Sequence, residues 1–184
     1  DTGASVIGGN SGTIINNNSS VNVTGEGSVS GLVDLNWGEG VVKNSTVSGT
    51  IKGDSRVGGL IATMDQSGYT SPVGETWDGE DFPSGAVVKN NTFTGELTAT
   101  ENVGGIVGVN KIYRYDADGN PDYEGVMIED STVTGTINIE DHSDDYATNI
   151  GGVAGVSYGN IKGGTVDVTI NNNAGSTELN DVGG

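Results

Sequence analysis

The 184-residue chain carries 25 acidic and 7 basic residues, a formal net charge of −18, and no cysteine. That balance leaves no basic patch to neutralise phosphates or to seek an anionic membrane surface, so nucleic acid is not an expected partner. No apolar run approaches the ~18 residues of a membrane helix, and the abundance of Gly (33 residues), Thr, Asn, Ser and Val favours strands and tight turns.

From the N-terminus onward a short phrase recurs: Ala4-Ser-Val-Ile-Gly8 in degenerate form, then Val29-Ser-Gly-Leu-Val33, Val57-Gly-Gly-Leu-Ile-Ala62, Val103-Gly-Gly-Ile-Val-Gly-Val-Asn110 and Ile150-Gly-Gly-Val-Ala-Gly155. Val182-Gly-Gly184 opens a further copy. Equivalent positions Ser5, Gly31, Gly59, Gly105, Gly152 and Gly184 are spaced by 26, 28, 46, 47 and 32 residues. The glycines have two candidate tasks, supplying a positive φ at a corner or leaving room where the coil is narrow.

Behind each phrase comes a polar-apolar alternation: Val41 to Ile51, Val87 to Leu97, Met127 to Ile137 and Asn160 to Ile170, which align without gaps. Val47, Phe93, Val133 and Val166 form one column, and Ile51, Leu97, Ile137 and Ile170 another, with the parity of an inward strand face. Ser48, Thr94, Thr134 and Asp167 point the other way, as do Thr50, Glu96, Thr136 and Thr169. A unit near 26 residues suits one solenoid turn with two or three short strands. The expected fold is therefore all-β, a right-handed parallel β-helix of about five coils spanning residues 1–184 as one segment of a longer protein.

Gly-Gly-Ile-Val-Gly-Val-Asn followed by Asn-x-x-Val-x-Gly-x-Ile resembles the GLUG repeat of bacterial surface proteins, large adhesins and the non-catalytic portions of IgA-cleaving metallopeptidases. Gly104, Gly105, Gly108 and Asn110 match that pattern, while Asp34 and Ala62 replace its last glycine in earlier copies. The resemblance implies an extracellular, cell-surface setting and an adhesive or spacing role, and it transfers no catalytic residue.

Long insertions follow the phrase at 67–85 and 111–125, at the same corner of adjacent coils. They hold Tyr69, Trp77, Phe82, Tyr113, Tyr115 and Tyr123, six of the ten aromatic residues, with Trp37 and Tyr158 at the matching short corners of the flanking coils. Exposed aromatics beside Asp and Asn suit stacking on a glycan or anchoring a host protein. The same side chains would equally supply a small core for the loops themselves. Asp116, Asp118, Asn120, Asp122 and Glu124 offer oxygens at alternate positions, as half of a calcium loop does, although a hairpin turning at Asp-Gly-Asn reads as well. A third insertion, 140–148, is acidic and holds His142, the only histidine, which alone cannot build a zinc site.

No cofactor is required by these features, and neither a Cys nucleophile nor an HExxH motif is present. A polysaccharide-active β-helix enzyme needs paired groups on adjacent coils, of which the columns offer few: Lys43, Lys89, Glu129 and Lys162 stack in one, which reads as well as a solvated ladder on a sheet face. The outward Thr columns raise ice binding, interrupted by Lys52, Glu96 and Asp167. The leading expectation is a non-catalytic surface module, a stiff stalk beside neighbouring repeats of its own polypeptide, with adhesion through the inserted loops.

Overall fold

A computed structural model describes residues 4–65, 76–77, 80–81, 86–111, 127–140, 146–175 and 178–183. Like strands of successive coils pair in parallel into four five-stranded sheets, a parallel β-solenoid with no helix among the described residues. Each coil thus carries four strands rather than two or three. Sheet I contains Ile7–Asn10, Val33–Trp37, Ile61–Asp65, Val107–Lys111 and Ala154–Ser157. Sheet II contains Thr13–Ile15, Val41–Lys43, Val87–Lys89, Met127–Glu129 and Asn160–Lys162. Sheet III holds the long strands Asn18–Thr24, Thr46–Lys52, Thr92–Ala99, Thr132–Ile139 and Thr165–Asn172, and sheet IV holds Val29–Ser30, Ser55–Gly58, Glu101–Gly104, Tyr146–Gly151 and Glu178–Gly183. The last of the expected insertions therefore ends earlier, since strand pairing resumes at Tyr146.

The extra strand arises from a corner hidden inside the alternation. Asn16, Asn44, Asn90 and Asp130 adopt left-handed φ values of 55°, 52°, 55° and 47°, splitting the segment into its sheet II and sheet III parts. Asn and Asp are the non-glycine residues that best tolerate this region, because their short side chains bond locally. Beneath the corner runs a buried polar ladder: Ser45 N–H donates to Asn91 Oδ1 at 2.8 Å, and Asn91 Nδ2 donates to the Val42 carbonyl at 2.8 Å.

Register follows the expected columns residue for residue, with Val47, Phe93, Val133 and Val166 as ladder partners and Ile51, Leu97, Ile137 and Ile170 likewise. Their side chains meet Leu32, Leu60 and Ile106 in one core, which is fully buried through the middle coils. At roughly 25 cal/mol per Å² of apolar surface removed from water, this column stacking is the main favourable term.

The phrase glycines settle their task clearly. None of Gly31, Gly58, Gly59, Gly104, Gly105 or Gly108 has a positive φ. A Cβ on Gly31 would lie 2.5 Å from both the Gly59 carbonyl oxygen and Val47 Cγ1, and one on Gly59 would lie 2.5 Å from Phe93 Cγ. The same contact recurs between Gly105 and Val133 and between Gly152 and Val166, so the sheet III core column touches the glycine corner across the interior. Gly8, by contrast, has nothing within 4 Å of its would-be Cβ.

Gly105→Ala is expected to destabilise the chain by at least about 1–3 kcal/mol, because the obstruction is backbone that cannot rotate away. Gly8→Ala should change stability by less than about 1 kcal/mol. Thermal unfolding followed by circular dichroism checks the pair, and equal effects would refute close approach as the reason for glycine.

Candidate functional site

Sheet IV turns into sheet I so sharply that their backbones abut. A Cβ on Gly108 would lie 2.7 Å from the Arg56 carbonyl carbon, and one on Gly155 would lie 2.7 Å from that of Asn102. Arg56 itself, at φ 54°, heads a left-handed column with Asn102, Asn149 and Asp181. This fold brings its side chain, from a sheet IV strand, to the residues of sheet I. The result is a cleft of about 220 Å³ lined by Ser28, Asp34, Leu35, Arg56, Thr63, Asp65 and Lys111.

Two of the seven basic residues of a strongly acidic chain share this cleft with two carboxylates. Burial pushes the Asp34 carboxyl above the usual carboxylate range, opposed by the Arg56 charge. Leu35 is exposed, whereas its ladder partner Thr63 is only 8% exposed.

The cleft sits at the edge from which the two long insertions depart. Asp65 and Lys111 are ladder partners and each ends its strand, and Val87 and Met127, where the chain returns, are partners too. Trp37 pairs with Asp65 in the same column, and Tyr158 follows on the far side, where its N–H donates to the Asn110 carbonyl at 3.1 Å. Trp37 and Tyr158 are 45% and 58% exposed, so the aromatic edge expected of the flanking coils is present.

A second side-chain column, buried at Asn36, Met64 and Asn110, runs beside these corners. Asn36 donates from Nδ2 to the Gly40 carbonyl at 2.8 Å and accepts on Oδ1 from Asn10 Nδ2 at 2.8 Å, closing the short turn that carries Trp37. Ser157 closes the turn beside Tyr158 by donating to the Gly159 carbonyl at 3.2 Å. Met64 occupies this column between Asn36 and Asn110. The methionine has no N–H to offer, and Asn110 Oδ1 is buried without a partner while its Nδ2 donates to Ser157 Oγ at 3.1 Å.

The expected charged column on sheet II is an ion-pair ladder. Glu129 lies 3.2 Å from Lys89 and 3.4 Å from Lys162, and the Lys89 hydrogen bond, aided by Lys162, holds its carboxyl below the usual range. On sheet III the outward Thr columns are broken as expected, with Asn138 Nδ2 donating to Glu96 Oε1 at 2.6 Å.

Tyr69, Phe82, Tyr113, Tyr115 and Tyr123, and the calcium set Asp116, Asp118, Asn120, Asp122 and Glu124, lie outside the described residues. Of Trp77 only the backbone is described, in a two-residue antiparallel ribbon of Thr76–Trp77 with Glu80–Asp81. Among the described residues no cluster of three or more His, Cys, Asp or Glu could hold a metal ion. Sequence reasoning missed Asp34, Arg56, Thr63 and Asp65 as cleft residues. One signal was available: Asp34 departs from the glycine of its column, and Arg56 stands where later coils carry Asn and Asp. No family model matches the chain, and no curated protein or solved structure matches it.

Two outcomes follow from this geometry. Asn36→Ala should cost about 1–2 kcal/mol, since it removes two hydrogen bonds from a buried side chain while Asn10 keeps its bonds to Gly12 and the Gly40 carbonyl keeps the Val87 N–H, and Asn110→Ala distinctly less, since it removes one and its side-chain carbonyl is already unpartnered. Denaturant melts of both variants check the order. For pH, a carboxyl depressed by folding stabilises above its unfolded pKa and loses that stability as pH falls; a raised one costs stability when ionised and regains it on protonation. Glu129→Gln should therefore lower the melting temperature at neutral pH and Asp34→Asn should raise it, each by no more than about 1 kcal/mol of stability, with both differences vanishing in acid.

Proposed function

We propose that the chain is a non-catalytic module of a bacterial cell-surface protein, a stiff solenoid spacer that displays an insertion-built lobe for adhesion to a glycan or host protein. The observation that carries this reading is the placement of the insertions. Two neighbouring coils open at one corner, between Asp65 and Val87 and between Lys111 and Met127, and both strands on either side remain in unbroken register. A spacer needs no such openings, because Trp37–Gly40 closes the same corner in a few residues. The resemblance to GLUG repeats supports the extracellular setting, and the acidic surface suits a soluble, extended surface protein.

Replacing residues 66–86 and 112–126 each with a short corner copied from residues 38–40 tests the reading on a glycan array and a panel of host-matrix proteins. The native chain is expected to bind and the trimmed chain to lose binding while keeping its β-sheet spectrum, with Trp77→Ala and Tyr115→Ala giving partial losses. Equal binding by native and trimmed chains would remove the lobe as the contact.

A further inference from the structure

We infer that the cleft between sheets IV and I is a subsite for one neutral pyranose residue of a glycan. The inference rests on the proposed role as a glycan-contacting surface module, and names the ligand class at a definite place on it.

At about 220 Å³ the cleft is smaller than the roughly 300–1,000 Å³ of sites for drug-sized ligands, and suits one ring. Each sugar hydroxyl both donates and accepts, so a sugar site needs both kinds of partner within a small volume. The lining provides them: Asp34 and Asp65 accept, Arg56 and Lys111 donate, and the hydroxyls of Ser28 and Thr63 do either. Leu35, exposed on the same wall, offers an apolar patch for the C–H face of a ring. The charges balance, two against two, so a net charge on the ligand gains nothing from the site as a whole. The Arg56 backbone adopts a left-handed turn packed closely beside Gly108, which sets the point from which its side chain leaves the strand. The cleft also borders the corner column of Trp37, Asp65 and Lys111, so a glycan held there would continue toward the insertions.

Ladder neighbours supply substitutions that the fold already accepts. Asp34→Ala places the residue found at 62, Arg56→Asn the one at 102, and Thr63→Val the one at 109. Saturation-transfer NMR and calorimetry of the full chain with neutral oligosaccharides, with their uronate counterparts, and at low and high salt form the test. The subsite requires binding of a neutral sugar that is insensitive to salt and weakened at least about ten-fold by Asp34→Ala and by Arg56→Asn, each variant melting no lower than the native chain. A preference for uronates, loss of binding in salt, or binding unchanged in all three variants overturns it. Glycan binding that depends on Trp77 but not on Asp34 or Arg56 leaves the surface-module reading standing and removes the subsite; no glycan binding of any kind removes the subsite, and host-protein binding then decides the module.

Discussion

The structure depends on one contact, the backbone-to-backbone approach at the turn from sheet IV into sheet I. Gly108 and Gly155 face the carbonyl carbons of Arg56 and Asn102, and Gly59 and Gly105 sit against Phe93 and Val133. A methyl group at any of these positions would push the sheets apart. The column of Val47, Phe93 and Val133 would then lose its opposite wall, and with it the dispersion contacts of a closely packed interior. Glycine is used here for its lack of a side chain, while the conformational task usually given to glycine falls to Asn44, Asn90 and Asp130 at the corner between sheets II and III.

The same contact makes the cleft. Residues on four strands of two sheets, Arg56 on sheet IV and Asp34, Thr63 and Lys111 on sheet I, share one small volume because no side chains separate the two sheets at the glycine turn. Close by, Asn36 and Ser157 hold the two short corners of the solenoid edge. With Asn36 or Ser157 present, the short turn is held by a hydrogen bond to its own far end. Met64 makes no such bond, and its coil leaves the corner open to a long insertion. Met64 joins the hydrophobic core, and Asn110, before the second insertion, donates to Ser157 of the next coil rather than to its own corner.

The repeat period and core columns were readable from the sequence because parallel stacking in constant register preserves them: each coil repeats the same parity, and aligned copies are ladder partners. The fourth strand was not readable, since a left-handed Asn bends the chain without disturbing the polar-apolar alternation around it. Thr63 was hidden for a related reason. It has the alternation of an outward residue beside Leu35, yet burial removes it from solvent. The cleft joins Arg56 and Ser28 to sheet I residues from three successive coils, a grouping that no single column or strand displays. Its only trace was the pair of departures at positions 34 and 56, each ordinary as a surface charge when taken alone.

Position along the array bears on how firmly that cleft is held. In a solenoid each coil is stabilised by its neighbours, so coils with a partner on both sides are the most constrained. The core columns show the gradient: Val133 and Ile137 are buried, whereas Val166 and Ile161 in the last described coil are 37% and 45% exposed. Asp34, Arg56, Thr63, Asp65 and Lys111 belong to strands flanked on both sides by others of their sheet. The insertions depart from that same region. The entropy cost of closing a loop grows only slowly with its length. The two strands at each opening stay in register because the columns beside them are complete, which is why this part of the array can carry both a cleft and two interruptions without losing its pairing.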